Sequence, residues 1–493
     1  MSSYSRVAEV YSKINSLNSI SRVLSWDTST MMPEGSTKYR AEDIAVLERI
    51  ANKMLSSKKL GELLEEVSES ECNQWEKANI NLIKHYRDSV LAVDPDLNEK
   101  LTKASIDCEH KWRVARKNNS FKSILSDFSN LVDMVKEVAK ARSDYFGVGQ
   151  YDALLDIYDR GRKEAEIDPI VASMKTFLPE FVQKVLDKQK SWKIHRITKD
   201  KFPVEKQREL GINCMNAIGF DFTRGRLDVS THPFCGGGTQ DVRITTRYNH
   251  DEFLSSLMAV MHETGHALYQ QNLPEAYCNQ AVGGPLGMSI HESQSLLVEI
   301  QVARSKEFLE FVLPKTKSIF DVSGKAYSAE NLYYIANEVK PSFIRVESDE
   351  VTYLAHVILR YELEKDILSG NLKIKDLPAA WNAKMKDYLG IKPKTDTDGC
   401  MQDIHWFSGM FGYFPNYMLG TMHASQFFTT MSNDIKDLPK NIQKGNFRPM
   451  TEWLKKNIHS QGSLYSSNEL LKKVTGKELD VEGYKQYLTK KFL

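Results

Sequence analysis

The chain of 493 residues is 41% hydrophobic and 27% charged, a composition that can form a large buried core and excludes disorder of the whole chain. Its 66 Lys and Arg residues nearly balance its 65 Asp and Glu residues, which leaves a formal net charge of +1. No global field therefore attracts nucleic acid or acidic membranes, and we expect neither as a partner.

The N-terminus and the cysteines together predict a soluble, cytoplasmic protein. Residues 1–10 are polar and lack the apolar core of a secretory signal, and no apolar run reaches the roughly 18 residues of a membrane span. The six cysteines are widely spaced and form no C-x-x-C pair, which favours a reducing compartment.

The first half of the chain, about residues 1–220, is predicted to be helical because its apolar residues recur at helical spacing. Residues that show this spacing include Ile44, Leu47, Ile50 and Met54. Breaks that contain proline or glycine, at 32–35, 146–149 and 168–169, are each predicted to be turns between helices.

The sequence changes character at 220–249, where three glycines at 236–238 precede an alternating segment at 241–248. Its β-branched residues and period of two predict strands joined by a glycine-rich turn, and hence a small sheet. Helical spacing resumes at Phe253. We therefore predict a mainly α fold in a single domain over 1–493, whose second half, about 221–493, contains the candidate site.

The segment His262-Glu263-Thr264-Gly265-His266 carries the clearest chemical signal. On a helix, side chains four residues apart lie on one face with Cβ atoms about 5–6 Å apart, so His262 and His266 can bind one ion, and zinc suits their nitrogens. Glu263 would lie beside that ion and act as general base toward a water molecule. The alternative is an ordinary helix whose histidines are structural.

A catalytic zinc needs a third protein ligand, for which Glu292 is the candidate. It follows a Gly/Pro loop at 283–285 and lies early in a second predicted helix that could fold back onto the first. Ser289 and Glu292 also form a capping-box pattern, which explains Glu292 without any metal. The pattern alone leaves both interpretations open, with His291 as a further candidate ligand.

A set of motifs extends along nearly the whole chain. They are Trp26-Asp27 with Met32-Pro33-x-Gly35, His232-Pro233-Phe234, Asp241-x-Arg243-x-Thr245, the 262–266 segment, His291-Glu292-Ser293-Gln294, Ile344-Arg345-x-x-Ser348-Asp349 and Gly399-x-x-Gln402-Asp403-x-His405-Trp406. In this order they resemble the thermostable carboxypeptidase family, also called the carboxypeptidase Taq family.

This resemblance implies a large helical metallopeptidase fold with a long cleft and a small β-sheet at its edge, similar to neurolysin and angiotensin-converting enzyme. It implies removal of single residues from the free C-terminus of peptide substrates, a zinc or cobalt ion, and a homodimer. It also implies that His262, His266 and Glu292 are metal ligands and that Glu263 is the catalytic base, which favours the ligand interpretation of Glu292.

The aromatic segment at 406–417 is expected to supply hydrogen-bond donors to the carbonyl oxygen, on which negative charge develops. By similarity to related peptidases that use a Tyr and a His in this role, we favour His405 and Tyr417, with Tyr413 as a substrate contact. The alternative is that these aromatic residues only pack.

Cleavage of the last residue alone requires a group that binds the terminal carboxylate, and the planar fork of arginine suits this role. The resemblance suggests Arg345 as this clamp, with Arg243 beside it. On a strand, Asp241, Arg243 and Thr245 would share one face, so Asp241 or Thr245 could orient Arg243. For Arg345 the alternative is a surface charge cluster with its acidic neighbours.

Two other classes of function stay open from the sequence. An endopeptidase or dipeptidyl carboxypeptidase would use the same metal centre and differ in how its cleft is closed. A helical binding protein would hold an inert or structural metal.

Overall fold

The structure is a computed structural model that describes residues 2–198 and 200–493. Over these residues the helices are α1 (Ser3–Thr30), α2 (Thr37–Leu55), α3 (Lys58–Glu65), α4 (Gln74–Leu91), α5 (Pro95–Lys117), α6 (Phe121–Phe146), α7 (Gln150–Tyr158), α8 (Glu164–Gln189), α9 (Val204–Ile218), α10 (Leu254–Gln271), α11 (Met288–Leu296), α12 (Lys306–Phe320), α13 (Ala329–Ala336), α14 (Tyr353–Leu368), α15 (Leu377–Leu389), α16 (Pro415–Asp434), α17 (Leu438–Gln443), α18 (Arg448–Asn457), α19 (Ser467–Thr475) and α20 (Val481–Phe492). The strands are β1 (Gly225–Val229), β2 (Cys235–Gly238) and β3 (Asp241–Thr246).

These elements confirm the predicted mainly α fold with a small sheet. None of the helices described is long and apolar enough to cross a membrane. The expected long cleft and the likeness to neurolysin and angiotensin-converting enzyme stay predictions.

The described chain divides into two compact units, each built from three separate segments. The first unit comprises Met1–Val90, Lys193–Ala336 and His423–Leu479, and the second comprises Leu91–Trp192, Asn337–Met422 and Asp480–Leu493. These units differ from the predicted halves at 1–220 and 221–493, because segments far apart in sequence pack together. That the whole chain forms a single domain stays a prediction.

Two of the three predicted breaks in the helical half are turns. Residues 32–35 lie between α1 and α2, and Gly147 ends α6 in the left-handed conformation, with φ of 66°. The turn predicted at 168–169 is wrong, because α8 continues through Pro169.

The continuity of α8 has an energetic cause. A proline inside a helix costs about 3 kcal/mol, since it removes a backbone hydrogen bond. The helix buries Ile167, Ile170, Val171 and Met174 around that position, and each such side chain contributes about 1.5–3 kcal/mol on burial. Packing therefore outweighs the local cost.

The sheet has the order β1-β3-β2, with β1 parallel and β2 antiparallel to β3. The turn predicted at 236–238 is wrong: these glycines lie within β2, and the turn is formed by Thr239 and Gln240. Gly237 has a φ of 86°, and a Cβ atom there would lie 1.9 Å from the carbonyl oxygen of Asp241. Glycine is therefore required for the close approach of two strands rather than for the turn.

Helix α10 carries the 262–266 segment and lies in the core of the first unit. It packs against α9, α11 and β3. Leu257, Met258, Met261 and Leu268 are all buried, which confirms the predicted apolar surroundings. The histidines of α10 therefore project from a rigid, well-packed helix.

Candidate metal centre

Three side chains from α10 and α11 converge on one point in the first unit. His262 and His266 lie one turn apart on α10, with ring centroids separated by 5.0 Å. Glu292 of α11 places Oε2 at 3.4 Å from Nε2 of His266 and at 3.9 Å from Nε2 of His262. Their candidate ligand atoms all lie within 4.8 Å of one another, so one ion can contact all three.

The donor set fits a divalent metal. Two imidazole nitrogens and one carboxylate are the ligands of many catalytic zinc sites, and cobalt accepts the same set. Oε2 of Glu263 is buried and has no hydrogen-bond partner among the described residues. Buried carboxylate oxygens normally have a partner, so this orphaned atom indicates a group that the protein chain itself does not supply.

The start of α11 tests the capping interpretation of Glu292. The helix begins at Met288, and Gly287 occupies the capping position without a side-chain cap. Ser289 lies inside the first turn, fully buried. The capping-box interpretation is therefore wrong for this helix, and Glu292 faces the two histidines.

Gly265 permits this arrangement, although no local sequence pattern marks it for this role. A Cβ atom at Gly265 would lie 2.4 Å from the carbonyl oxygen of Gln294 and 2.6 Å from Cα of Ser295. Only glycine allows α10 and α11 to approach so closely. The glycine between the two histidines thus brings Glu292 within reach of them.

A second carboxylate, that of Glu299, contacts the ring nitrogen of His262 that faces away from Glu292. Its Oε2 lies 2.9 Å from Nδ1 of His262, and its Oε1 accepts a hydrogen bond of 2.6 Å from Arg304. Burial raises the pKa of Glu299, but Arg304 and His262 outweigh this effect and lower the pKa to about 2. The carboxylate therefore stays charged and orients the imidazole so that Nε2 faces Glu292.

Glu299 belongs to a π-helical turn, Leu297–Ala303, that follows α11, and Arg304 is the residue directly after that turn. The backbone N–H of Arg304 donates to the carbonyl oxygen of Glu299, five residues earlier. π-Helical turns are rare and often occur at functional sites. The sequence offered one signal for Glu299, which is its position two helical turns after Glu292 on the same face.

His291 is not one of the converging ligands. Its Nδ1 lies 2.6 Å from Nδ1 of His266, and its Nε2 lies 3.0 Å from the side-chain nitrogen of Gln270. Both ring nitrogens therefore have partners outside the group formed by His262, His266 and Glu292. The structure places His291 behind a candidate ligand.

The second unit brings together Arg345, His405, Tyr413 and Tyr417. Nε2 of His405 lies 3.2 Å from the hydroxyl of Tyr417, and its ring centroid lies 5.2 Å from that of Tyr413. The guanidinium carbon of Arg345 lies 4.6 Å from the ring centroid of Tyr417. Burial and the charge of Arg345 lower the pKa of His405 to about 3, so its ring is neutral near neutral pH.

Arg345 is only 5% exposed, so the interpretation as a surface charge cluster is wrong. Its Nε and Nη2 donate to Oδ1 of Asp403, at 3.1 Å and 2.9 Å, and its Nη1 donates to the hydroxyl of Tyr353 at 3.2 Å. Arg360, fully buried, donates from Nε to Oδ2 of the same Asp403 at 2.7 Å. Among the described residues of this group, the carboxylate of Asp403 thus accepts hydrogen bonds from the guanidinium groups of both Arg345 and Arg360.

Burial raises the pKa of Asp403, but Arg345 and Arg360 outweigh it and hold the pKa far below its usual range. The pairing leaves one positive charge of the group without its own carboxylate, a suitable environment for an anion. Asp403 lies in a recognised motif. Arg360 carries no sequence signal, because only the fold places it beside Asp403.

Glu364, which lies in none of the sequence motifs, anchors the aromatic segment. It accepts hydrogen bonds from Nε1 of Trp406 at 2.7 Å, from the backbone N–H of Gly412 at 2.9 Å and from the hydroxyl of Tyr151 at 2.7 Å. Burial raises the pKa of Glu364 to about 7. These bonds fix the loop that carries Tyr413.

Arg243 and Asp241 lie on β3 in the first unit, where they form the predicted pair. Nε and Nη2 of Arg243 donate to the two carboxylate oxygens of Asp241, at 2.9 Å and 2.7 Å. The guanidinium also stacks over Trp26, 4.3 Å from its ring centroid. Thr245 instead bonds to Ser230. That Arg243 lies beside Arg345 stays a prediction.

The chain matches known proteins over nearly its whole length. The profile of the family described as carboxypeptidase Taq (M32) metallopeptidase matches residues 6–492. Thermostable carboxypeptidase 1 of Thermus thermophilus is 35% identical over 505 residues, which cover 99% of this chain and 98% of that protein. Carboxypeptidase 1 of Bacillus subtilis is 35% identical over 476 residues, which cover 95% of this chain and 94% of that protein.

Solved structures agree over the full length. Metallocarboxypeptidase 1 of Trypanosoma cruzi superposes with a TM-score of 0.96 at 34% identity, covering 99% of each chain. A carboxypeptidase of Pyrococcus furiosus superposes with a TM-score of 0.94 at 31% identity, covering 100% of this chain and 99% of the other. The chain therefore belongs to the carboxypeptidase Taq family of metallopeptidases, as its motifs indicated.

Proposed function

We propose that the chain is a zinc carboxypeptidase that releases single residues from peptides with a free C-terminus. One observation carries the proposal: two imidazoles and a carboxylate converge beside the orphaned carboxylate of Glu263, in a member of a metallopeptidase family. Such a set of side chains serves metal-assisted hydrolysis.

His262, His266 and Glu292 would hold the ion, which is zinc in this proposal, with cobalt as the alternative. A divalent ion bound there supplies Lewis-acid chemistry, which polarises a peptide carbonyl and lowers the pKa of a water molecule. Glu299 and Arg304 keep His262 in the orientation that this binding needs.

Glu263 is the proposed general base. Burial raises the pKa of its carboxyl group, against the opposing effect of His262 and His266. A carboxylate with a raised pKa takes the proton of the attacking water readily and can then give it to the leaving amine. The orphaned Oε2 is the atom that performs both transfers in this proposal.

His405 and Tyr417 are proposed to donate hydrogen bonds to the carbonyl oxygen as its negative charge develops. The neutral ring of His405 carries one N–H group, and its Nδ1 has no hydrogen-bond partner among the described residues. The hydroxyl of Tyr417 lies next to its Nε2. Tyr413 is proposed to contact the substrate.

Arg345 is the proposed clamp for the terminal carboxylate. Asp403 fixes one edge of its guanidinium group, and the surplus positive charge shared with Arg360 favours an anion. The relatives are named carboxypeptidases, which supports a group of this kind. Arg243, held by Asp241, is proposed to assist.

Two further features are proposed. All six cysteines are free thiols, which supports a cytoplasmic location. The homodimer rests on the family resemblance alone.

The proposal is tested by digesting a ten-residue peptide, as the free acid and as the C-terminal amide, and weighing the products by mass spectrometry. We expect a ladder that loses one residue at a time from the free acid, little cleavage of the amide, and no cleavage with phenanthroline present. Internal cuts or released dipeptides would show an endopeptidase or a dipeptidyl carboxypeptidase instead. Cleavage that survives the chelator would refute a metal mechanism.

A further inference from the structure

The two candidate histidine ligands have different partners behind them. Nδ1 of His262 faces the carboxylate of Glu299, whereas Nδ1 of His266 faces another imidazole, that of His291, at 2.6 Å. The ring centroids of His266 and His291 lie 4.5 Å apart. Carboxylates, backbone carbonyls and water are the usual partners of ligand histidines, so an imidazole in this place needs a physical explanation.

We propose that His291 is a positioning residue: it holds the ring of His266 through a hydrogen-bond chain, His266–His291–Gln270, and fixes the tautomer in which His266 can bind metal. The inference rests on the metal site of the proposed function and deepens it. His291 itself touches neither the metal nor the substrate in this account.

The positions of the protons follow from the distances. Two nitrogen atoms 2.6 Å apart can share only one proton. When Nε2 of His266 offers its lone pair to a metal, its proton sits on Nδ1, so Nδ1 of His291 must accept. The proton of His291 is then on Nε2, which faces the side-chain amide of Gln270 at 3.0 Å.

The side-chain amide of Gln270 therefore sets the direction of proton donation along the hydrogen-bond chain. The structure has the side-chain nitrogen of Gln270 at this position, but the oxygen and nitrogen of an amide exchange places by a simple flip. Only the oxygen can accept from Nε2 of His291, so metal binding by His266 requires the flipped amide. With the nitrogen there instead, every proton in the chain would reverse, and Nε2 of His266 would carry a proton and lose its lone pair for the metal. The orientation of this amide is thus coupled to the tautomer of His266.

Charge explains why an imidazole is suited to this place. The carboxyl groups of Glu263, Glu292 and Glu299 already lie around the site, and Arg304 pairs with that of Glu299. A carboxylate at position 291 would add another buried acidic group, whereas a neutral ring orients His266 without a charge of its own.

The test measures metal affinity by chelator competition, together with the absorption spectrum of the cobalt-loaded protein, neither of which depends on activity. His291→Phe keeps a ring of similar size but removes the acceptor. We expect its affinity for zinc to fall by about 10–100-fold and its cobalt spectrum to change. The matched control is His459→Phe, because His459 also packs against Tyr269 but bonds to Gln294 instead of a candidate ligand.

Two variants of Gln270 test the same hydrogen-bond chain if His291→Phe does not fold. Gln270→Glu offers only acceptor oxygens to His291 and is expected to keep wild-type metal affinity, whereas Gln270→Met offers none and is expected to lose about 10-fold. Equal affinities for this pair, or wild-type affinity and an unchanged cobalt spectrum for His291→Phe, would overturn the inference alone. A wild-type protein that binds no metal would overturn the proposed function as well.

Discussion

Replacing Glu263 with glutamine is expected to reduce kcat by about 10²–10⁴-fold, the usual contribution of a general base, and to leave the metal bound. Glutamine has nearly the same shape as glutamate but cannot take a proton from water. Oε2 of Glu263 has no hydrogen-bond partner among the described residues, so the substitution breaks no bond that the structure shows for that atom. The loss should therefore appear in kcat rather than in stability.

Three measurements on Glu263→Gln separate loss of the general base from loss of the metal and from loss of stability: metal content, thermal unfolding and steady-state kinetics. Glu275→Gln is the matched control, since Glu275 is exposed in the same unit, and it should keep wild-type kinetics. Undiminished hydrolysis by Glu263→Gln would show that Glu263 is not the general base. A variant that loses its metal would show instead that Glu263 is a ligand.

The second large effect is expected for Arg345→Ala. Hydrogen bonds to charged groups contribute about 1.5–3 kcal/mol, so KM for free-acid peptides should rise by about 10–150-fold. The KM for C-terminally amidated peptides should change much less, because an amide presents no negative charge to the clamp. The fold should tolerate the change, since Arg360 still pairs with Asp403 and leaves no unpaired carboxylate.

Two further variants complete this comparison. Arg345→Lys keeps the charge but loses the planar fork, so its KM for free-acid peptides should lie between those of the wild type and Arg345→Ala. Arg448→Ala removes an exposed arginine of a surface ion pair and should change neither KM. Equal effects of Arg345→Ala on free-acid and amidated peptides would contradict the clamp.

The two candidate ligands on one helix could be predicted from the sequence, because the geometry of a helix is local. His262 and His266 are one turn apart in any α-helix, so their spacing alone predicts a shared ion. Glu292 needed the family resemblance, since the pattern could not exclude a cap. The structure separates these interpretations through the start of α11 at Met288 and through the close approach at Gly265.

The supporting residues could not be predicted, because their contacts join distant parts of the chain. Glu299 is 37 residues from His262, and Arg360 is 43 residues from Asp403. Local periodicity can place such a residue on a helix face, but it does not show which distant residue it contacts. His291 appeared in the sequence as a rival ligand, and only the direction of its two nitrogens shows that it stands behind His266.

The two wrong predictions of secondary structure also arise from contacts between distant parts of the chain. The proline at 169 and the glycines at 236–238 have strong local preferences that predict turns. Burial of one face of α8 outweighs the preference of Pro169 for a turn. The glycine at 237 allows β2 to pair closely with β3 instead of forming a turn. The division into two units likewise depends on contacts between segments more than a hundred residues apart.

The metal centre is tested most directly by X-ray diffraction from crystals of the purified protein, with data collected on both sides of the zinc absorption edge. We expect one strong anomalous peak between Nε2 of His262, Nε2 of His266 and the carboxylate of Glu292, at about 2.0–2.2 Å from each of these atoms. A zinc peak at other side chains, or none in protein that hydrolyses peptides, would contradict this expectation.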